Sequence, residues 1–358
     1  MEYIFIIDYN ICNPLGLIME DNKVATASLI IIVVFIIGVL LRLAKPVLFP
    51  FFLAIFLSFI LFPILDFLTK IKIPRVISII FILLFTFFIL YLLGSLFYST
   101  GKSFAAEFPK YGEKMNSILT SFFEKLNLPQ LKIETIDWLG EFDLDRIGRI
   151  IGSSLGPFFS FMSNLFLILI FLVFILAGRG RVNQKIQKYL DQNRAEKANI
   201  VINNIDRQVQ RYLVIKTIVS FFTGVFALIV LLFFGLDFAI IFGFLTFLLN
   251  YIPNIGSFIA TALPVIIAVF QFDTLWPAFW ILVILTSVQL IMANIIEPRL
   301  MGHGLGLSPL VVLFFLFFWG WLWGLPGMIL AVPIAAIIKI VFNNIPGFQF
   351  VAAFMSKE

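Results

Sequence analysis

Cysteine and histidine are nearly absent from this chain. Cys12 is the single cysteine and His303 the single histidine among 358 residues. One cysteine excludes an intrachain disulfide and leaves the redox compartment unread. His303 stands among glycines with no second ligand nearby, so no metal site is expected. No nucleophile with a base at hand and no phosphate-cradling glycine loop is present either. The sequence therefore predicts neither an enzyme nor a bound cofactor. Without an ATPase segment, any work the protein does must draw on a gradient or on the solute itself.

Charge is the second shortage. Charged residues make up 13% and hydrophobic residues 61%, and the mean hydropathy is +1.09. Soluble domains carry about a quarter charged residues. Several uncharged runs exceed the ~18 residues needed to cross a hydrocarbon core of about 30 Å. The chain is read as an all-α polytopic membrane protein whose first partner is the lipid bilayer. The net charge of +5 does not point to nucleic acid, because the basic residues flank apolar runs and report orientation instead. The acidic first 28 residues do not resemble a cleaved signal peptide, and the first apolar run is expected to be retained.

Apolar runs fall at about 26–43, 47–68, 75–98, 157–178, 214–235, 238–270, 276–296 and 308–342. They divide the chain into N-terminal scaffold spans (1–98), an extracytoplasmic helical insert (99–156), a fourth span (157–178), a basic amphipathic helix (179–213), a transport half (214–342) and a tail (343–358). Residues 179–216 hold nine Lys/Arg against three acids, whereas 99–156 hold seven against eight. The positive-inside rule places the former, and both termini, in the cytoplasm and 99–156 outside. In the insert, Phe104, Phe108, Tyr111, Met115 and Phe122 recur at helical steps. That pattern suits a small cap packed on the outer surface or on a partner subunit.

Two of the apolar runs interrupt themselves. Residues 238–270 contain no charge over 33 positions, yet their middle reads LLNYIPNIGSF (248–258). One straight helix of that length would extend about 50 Å, well over the core thickness. Folded at the break, each arm would be only about 20–25 Å long. Pro253 removes a donor and Gly256 permits turn dihedrals. The run at 308–342 repeats the plan with WGWLWGLPG (319–327), where Gly324, Pro326 and Gly327 form the break. Paired breaks of this kind mark a transporter site between inverted repeats. The expected architecture is about six full spans plus two re-entrant hairpins, 238–270 from outside and 308–342 from inside, whose polar tips meet around a solute.

Asn250, Asn254, Ser257 and Thr261 on the first hairpin, with Gln289 and Asn294 on the span between the hairpins, offer amides and hydroxyls suited to a small polar solute. Ser287, Leu290, Asn294 and Glu297 are expected to share a helix face. Glu297 is a candidate for coupling H⁺ or Na⁺. Its structural alternative is a pair with Arg299, or a cap where Pro298 ends the helix. Asp237 and Asp273 are expected at the outer interface. No Arg or Lys cluster is apparent there to hold a phosphorylated solute.

The motifs NYIPNIGSFIATALP, N-x-x-EP-R-L-x-G, GLSPLVVL and GxPGMILAVP stand in order over roughly 205–342, and together they resemble the autoinducer-2 exporter family of membrane proteins. The layout of spans extends the resemblance over nearly the whole chain. Asn250, Pro253, Asn254, Gly256, Pro264, Asn294, Glu297, Pro298, Gly302, Pro309, Gly324, Gly327 and Pro333 fall on its motif positions. Ser308 stands where many relatives carry histidine, which argues against a proton relay there. The resemblance implies a bacterial inner-membrane secondary transporter exporting autoinducer-2, a small polar furanosyl signal, or a related signal by alternating access. Some relatives are described as sodium/proton antiporters, which is the alternative function. A non-transporting envelope scaffold would leave the paired breaks unexplained. By analogy with elevator transporters the transport half slides against an anchored scaffold, and a homo-oligomer is expected.

Overall fold

The computed structural model describes residues 23–96, Ser99, Ser103, Lys114 and 155–357 apart from 179, 180, 190, 303, 304 and 346. The helix expected between 104 and 122 and the loop position His303 lie outside the described residues. Residues 1–45 and 46–358 form separate compact units. The first contributes α1 (Lys23–Leu43), apolar on all sides.

The larger unit is helical throughout its described part. It begins with α2 (Lys45–Lys70), α3 (Arg75–Leu96), α4 (Leu155–Gly178) and the short basic α5 (Arg181–Tyr189). Among the described residues, five helices are long and apolar enough to cross a membrane: α2, α3, 195–233, 275–301 and 325–344. The surface helix expected over 179–213 is not a separate element. After α5, one 42-residue helix, α6 (Gln192–Phe233), runs without a break through residue 214. At 1.5 Å per residue it is about 63 Å long, twice a hydrocarbon core. No proline or glycine pair interrupts its polar first half, so helix propensity carries it straight out of the lipid.

The run at 238–270 forms α7 (Ala239–Leu249) and α8 (Ile255–Gln271). Their outer ends are tied together by one side chain. Gln271 accepts from the Asp237 backbone N–H at 2.7 Å and donates through Nε2 to the Gly235 carbonyl at 2.8 Å. The chain therefore returns to where it started, and the run is a helical hairpin. Lys114 of the insert donates to Asp273 at 2.9 Å and to the Gln271 carbonyl at 3.2 Å, at the same end. The Asp273 carboxyl is held below its ordinary value, first by that hydrogen bond and then by the ammonium charge.

Next come α9 (Leu275–Ile291), a π-helical turn (Met292–Ile296) and α10 (Glu297–Met301). They form one 27-residue apolar helix. Pro298 does not end the helix, contrary to expectation. It sits in the first turn of α10, just after the π turn, where a missing N–H is tolerated. The second hairpin is α11 (Pro309–Trp323) and α12 (Leu325–Asn344), broken at Gly324 with φ +77°. Lys339 closes its open end by donating to the Gly306 carbonyl at 2.6 Å. Finally α13 (Gln349–Met355) returns to the same loop, and Ser308 N–H donates to the Met355 carbonyl at 2.9 Å.

Both hairpins turn through a glycine pressed against backbone. A Cβ on Gly256 would collide with the Leu249 carbonyl, and one on Gly327 with the Trp319 carbonyl. At the first tip, Asn254 takes the positive φ of +60° that begins α8. The arms differ in reach. At 1.5 Å per residue α7 spans about 17 Å and α8 about 25 Å, whereas α11 spans about 22 Å and α12 about 30 Å.

Small residues let the part from α6 to α12 pack closely. Gly224 of α6 and Gly243 of α7 bring two backbones together: a Cβ on Gly224 would come within 2.7 Å of the Gly243 carbonyl. Ala227, Leu231, Ala239, Phe242, Ala268 and Ile281 continue that seam. Leu330, Ala331, Pro333, Ala335 and Ala336 bury α12. Helix α2 meets this part through large rings. Phe52 packs on Trp319 and Trp323, and Phe56, one turn on, packs on Tyr251.

Candidate functional site

A cavity of about 810 Å³ opens between α6, the first hairpin tip, α9–α10 and the start of α11. Asn250, Asn254, Ser257, Thr261, Gln289 and Asn294 all line it, as does Glu297. Residues separated by more than 40 positions are thus gathered on one wall system. The hairpin break supplies this geometry because it turns the chain at Asn250–Asn254 and exposes its polar side chains sideways.

The α9–α10 face carries Leu290, Asn294 and Glu297 as expected, but not Ser287. Thr286, Gln289, Leu290, Ala293, Asn294 and Glu297 face the cavity. Ser287 is not among them and donates to the Val283 carbonyl at 2.7 Å. These positions recur at steps of three and four, so the stripe keeps one helix face from α9 through the π turn at Met292–Ile296 to the start of α10. Gln289 is buried, and its Oε1 has no hydrogen-bond partner among the described residues. Leaving such an acceptor unmet costs about 1–3 kcal/mol, so it is poised to accept from a donor entering the cavity.

Glu297 does not pair with Arg299, which is exposed. Its partner is Lys216 of α6, whose Nζ lies 2.8 Å from both carboxylate oxygens. The two side chains are 6% and 17% exposed. Sequence reading counted Lys216 among the cytoplasmic charges, and only the packing of α6 against α10 reveals its role. A signal was available: Lys216, Ser220 and Thr223 recur at steps of four and three at the start of an apolar span. All of these are buried. Ser220 accepts from Asn250 Nδ2 at 3.1 Å, and Thr217 accepts from the Tyr251 hydroxyl at 2.8 Å. This stripe fixes the first hairpin tip against α6.

The second tip is placed otherwise than expected. Gly324, Pro326 and Gly327 do not line the cavity, whereas Leu307, Pro309, Val312 and Leu313 at the opposite end of that hairpin do. The tips do come together on α2, through the Phe52 and Phe56 contacts. Bulky Trp319 and Trp323 flank the second break and draw it to that aromatic surface. At the cavity margin stands Lys357, whose N–H donates to the Gly306 carbonyl at 2.9 Å. The C-terminal segment is thus part of the wall. Among the described residues no cluster of His, Cys, Asp or Glu could hold a metal ion.

A multi-span helical protein with two broken helices, one of whose breaks sets amides and hydroxyls into the wall of an otherwise largely apolar cavity, is a solute transporter in its construction. The sequence profile of the AI-2E family transporter matches residues 29–347, and the chain belongs to that family. It is 34% identical over 320 residues to the AI-2 transport protein TqsA of Escherichia coli K12, covering 88% of this chain and 91% of the relative. A Haemophilus influenzae protein with a provisional transport-protein name is 34% identical over 312 residues, 85% of this chain and 88% of its own. A similarly named Borreliella burgdorferi protein is 30% identical over 332 residues, 91% of this chain and 89% of its own. The chain is a multi-pass membrane transport protein and not an enzyme.

Proposed function

We propose that this protein is a secondary transporter that exports a small, neutral, polar solute across the bacterial inner membrane, autoinducer-2 or a related signal, and that the 810 Å³ cavity is its binding site. The observation that carries this reading is the composition of the cavity wall. Asn250, Asn254, Ser257, Thr261, Gln289 and Asn294 supply donors and acceptors, and the one carboxylate among them is already neutralised. Amides and hydroxyls of that kind match a polyol better than an ion. The resemblance to a protein named for AI-2 transport supports the substrate class.

Hairpins 238–270 and 308–342 enter the bilayer from opposite leaflets in this reading, with 99–156 extracytoplasmic and both termini cytoplasmic. The Gln271 and Lys339 ties support the hairpin form, since each brings the two ends of its run together. The transport half moves against the scaffold in an elevator manner. Support comes from the interface, where α2 engages it through the rings of Phe52 and Phe56. A sliding half requires a fixed counterpart, which a homo-oligomer of scaffolds would provide.

Cation/proton antiport at Glu297 is less well supported. Any Na⁺ would have to displace an ammonium that already contacts both oxygens, and removing one partner of a buried pair is costly. Proteoliposome flux separates the two readings. Asn254→Ala with Asn294→Ala is expected to lower solute export at least tenfold with no sodium-driven proton movement in the parent protein. Unchanged solute flux in that double variant overturns the site.

A further inference from the structure

We propose that Arg207 and Arg211 form an oxyanion site for a phosphate group, held at the inner membrane surface and separate from the solute cavity. Two openings adjoin these residues. One, of about 570 Å³, lies between α6 and Pro63 of α2 and is lined by Asn203, Asp206, Arg207, Gln210 and Arg211. The other, of about 110 Å³, is lined by Arg207, Gln208, Arg211 and Tyr212 of α6, with Met301 and Leu305 opposite. Both guanidiniums therefore line both openings.

Their charge is not spent inside the protein. Among the described residues, neither Arg207 nor Arg211 has a hydrogen bond or ion pair. Asp206 shares the larger opening, has interactions of its own, and leaves an excess of one positive charge among these three groups. Guanidinium groups one helical turn apart, with the amides of Asn203 and Gln210 on the same opening, supply the donors that a phosphate takes. Arg211 passes over Gly302, where a Cβ would lie 3.5 Å from its Nη2. The glycine leaves room for that side chain.

Depth points to the source of the phosphate. Measured back from Phe233, the end of α6, a core of about 30 Å is used up near residue 213. Arg211 then lies about 3 Å and Arg207 about 9 Å beyond the hydrocarbon edge, in the headgroup layer. Basic side chains at that level attract anionic lipid. A soluble phosphate would meet the same groups from the cytoplasmic side.

The test uses the full-length protein in nanodiscs of phosphatidylcholine containing one-fifth phosphatidylglycerol. Lipid retained after detergent exchange is quantified by mass spectrometry. Enrichment of phosphatidylglycerol by roughly tenfold in the parent protein is expected, lost in Arg207→Gln/Arg211→Gln and partly restored in Arg207→Lys/Arg211→Lys. The same enrichment should fall as sodium chloride is raised to 0.5 M, a measurement that needs no variant. If lipid is not enriched but 10 mM inorganic phosphate raises the melting temperature of the parent and not of the Gln variant, the site takes a soluble oxyanion instead. Equal retention in parent and Gln variant, with no phosphate effect on either, overturns the proposal.

Discussion

Lys216 and Glu297 are 81 positions apart, yet the ammonium of one sits 2.8 Å from each oxygen of the other's carboxylate. The pair joins α6 to the end of the α9–α10 helix at the cavity wall. It also balances the only carboxylate on that wall among the described residues. Breaking it from one side leaves an uncompensated charge in a low-dielectric setting. Lys216→Met and Glu297→Gln are each expected to destabilise the protein by about 3–5 kcal/mol. The double variant should lose much less than the sum, because no lone charge remains. Thermal unfolding of the four proteins in nanodiscs gives the coupling energy. Additive losses would mean that the pair has no energetic consequence.

The hairpin tips depend on glycine for a steric reason. Gly256→Ala and Gly327→Ala each drive a Cβ into a carbonyl oxygen of the preceding arm, Leu249 and Trp319 respectively. Overpacking against backbone cannot be relieved by a rotamer change, so losses at or above about 3 kcal/mol are expected. Gly38→Ala in α1 is the control, since nothing lies within 4 Å of its added Cβ. It should be neutral or slightly stabilising, by up to ~1 kcal/mol. Melting temperatures of the three variants decide the matter.

Gln289 is expected to act on affinity more than on folding. Its Oε1 is buried without a partner, so Gln289→Leu removes an unmet acceptor and should leave stability unchanged or improved. In the proposed site the same change removes a contact to the solute. A rise of about tenfold in the solute concentration needed for half-maximal flux is predicted. Unaltered half-saturation would remove Gln289 from the site.

Membrane orientation of the first hairpin is open to labelling. After Cys12→Ser, single cysteines at Asp237 and Asp273 should react with a membrane-impermeant maleimide from the extracytoplasmic side, and one at Arg299 from the cytoplasmic side. Reaction of 237 and 273 from opposite sides would contradict the Gln271 tie that holds residues 235–237 to the end of α8.

Acid should loosen the insert from that hairpin. Asp273 has its carboxyl lowered from 3.8, chiefly by the Lys114 hydrogen bond. A depressed folded value means the contact contributes fully above the unfolded value and is lost as pH falls through the lower folded one. Protection factors near 271–275, which correct for the intrinsic pH dependence of amide exchange, should therefore be constant from pH 7 down to about 4 and fall below that. The Asp273→Asn variant should show the lowered protection at every pH.

The residues of the hairpins and of the cavity were legible to very different degrees. Composition and run length sufficed for a membrane protein with interrupted helices, because transfer to lipid is summed over local residues. The breaks at Pro253–Gly256 and Gly324–Gly327 were equally plain, since backbone that cannot stay helical advertises itself in glycine and proline. The polar residues near the first break line the cavity for the same local reason. Other features depended on neighbours distant in sequence. Pro298 looks like a helix end until the π turn before it is seen, and Ser287 looks like a lining residue until its hydroxyl is found on the Val283 carbonyl, at the edge of the lining face.

The chain's local chemistry determined by itself that it would lie in lipid, where its helices would break, and which amides would be available at the breaks. Tertiary packing alone decided that Lys216 would meet Glu297, that the second tip would lean on α2 instead of the cavity, and that Lys357 would reach the cavity margin. Burial and backbone strain act residue by residue and leave a mark in sequence. Pairing between side chains on separate helices depends on crossing angles and depth, which no stretch of sequence contains.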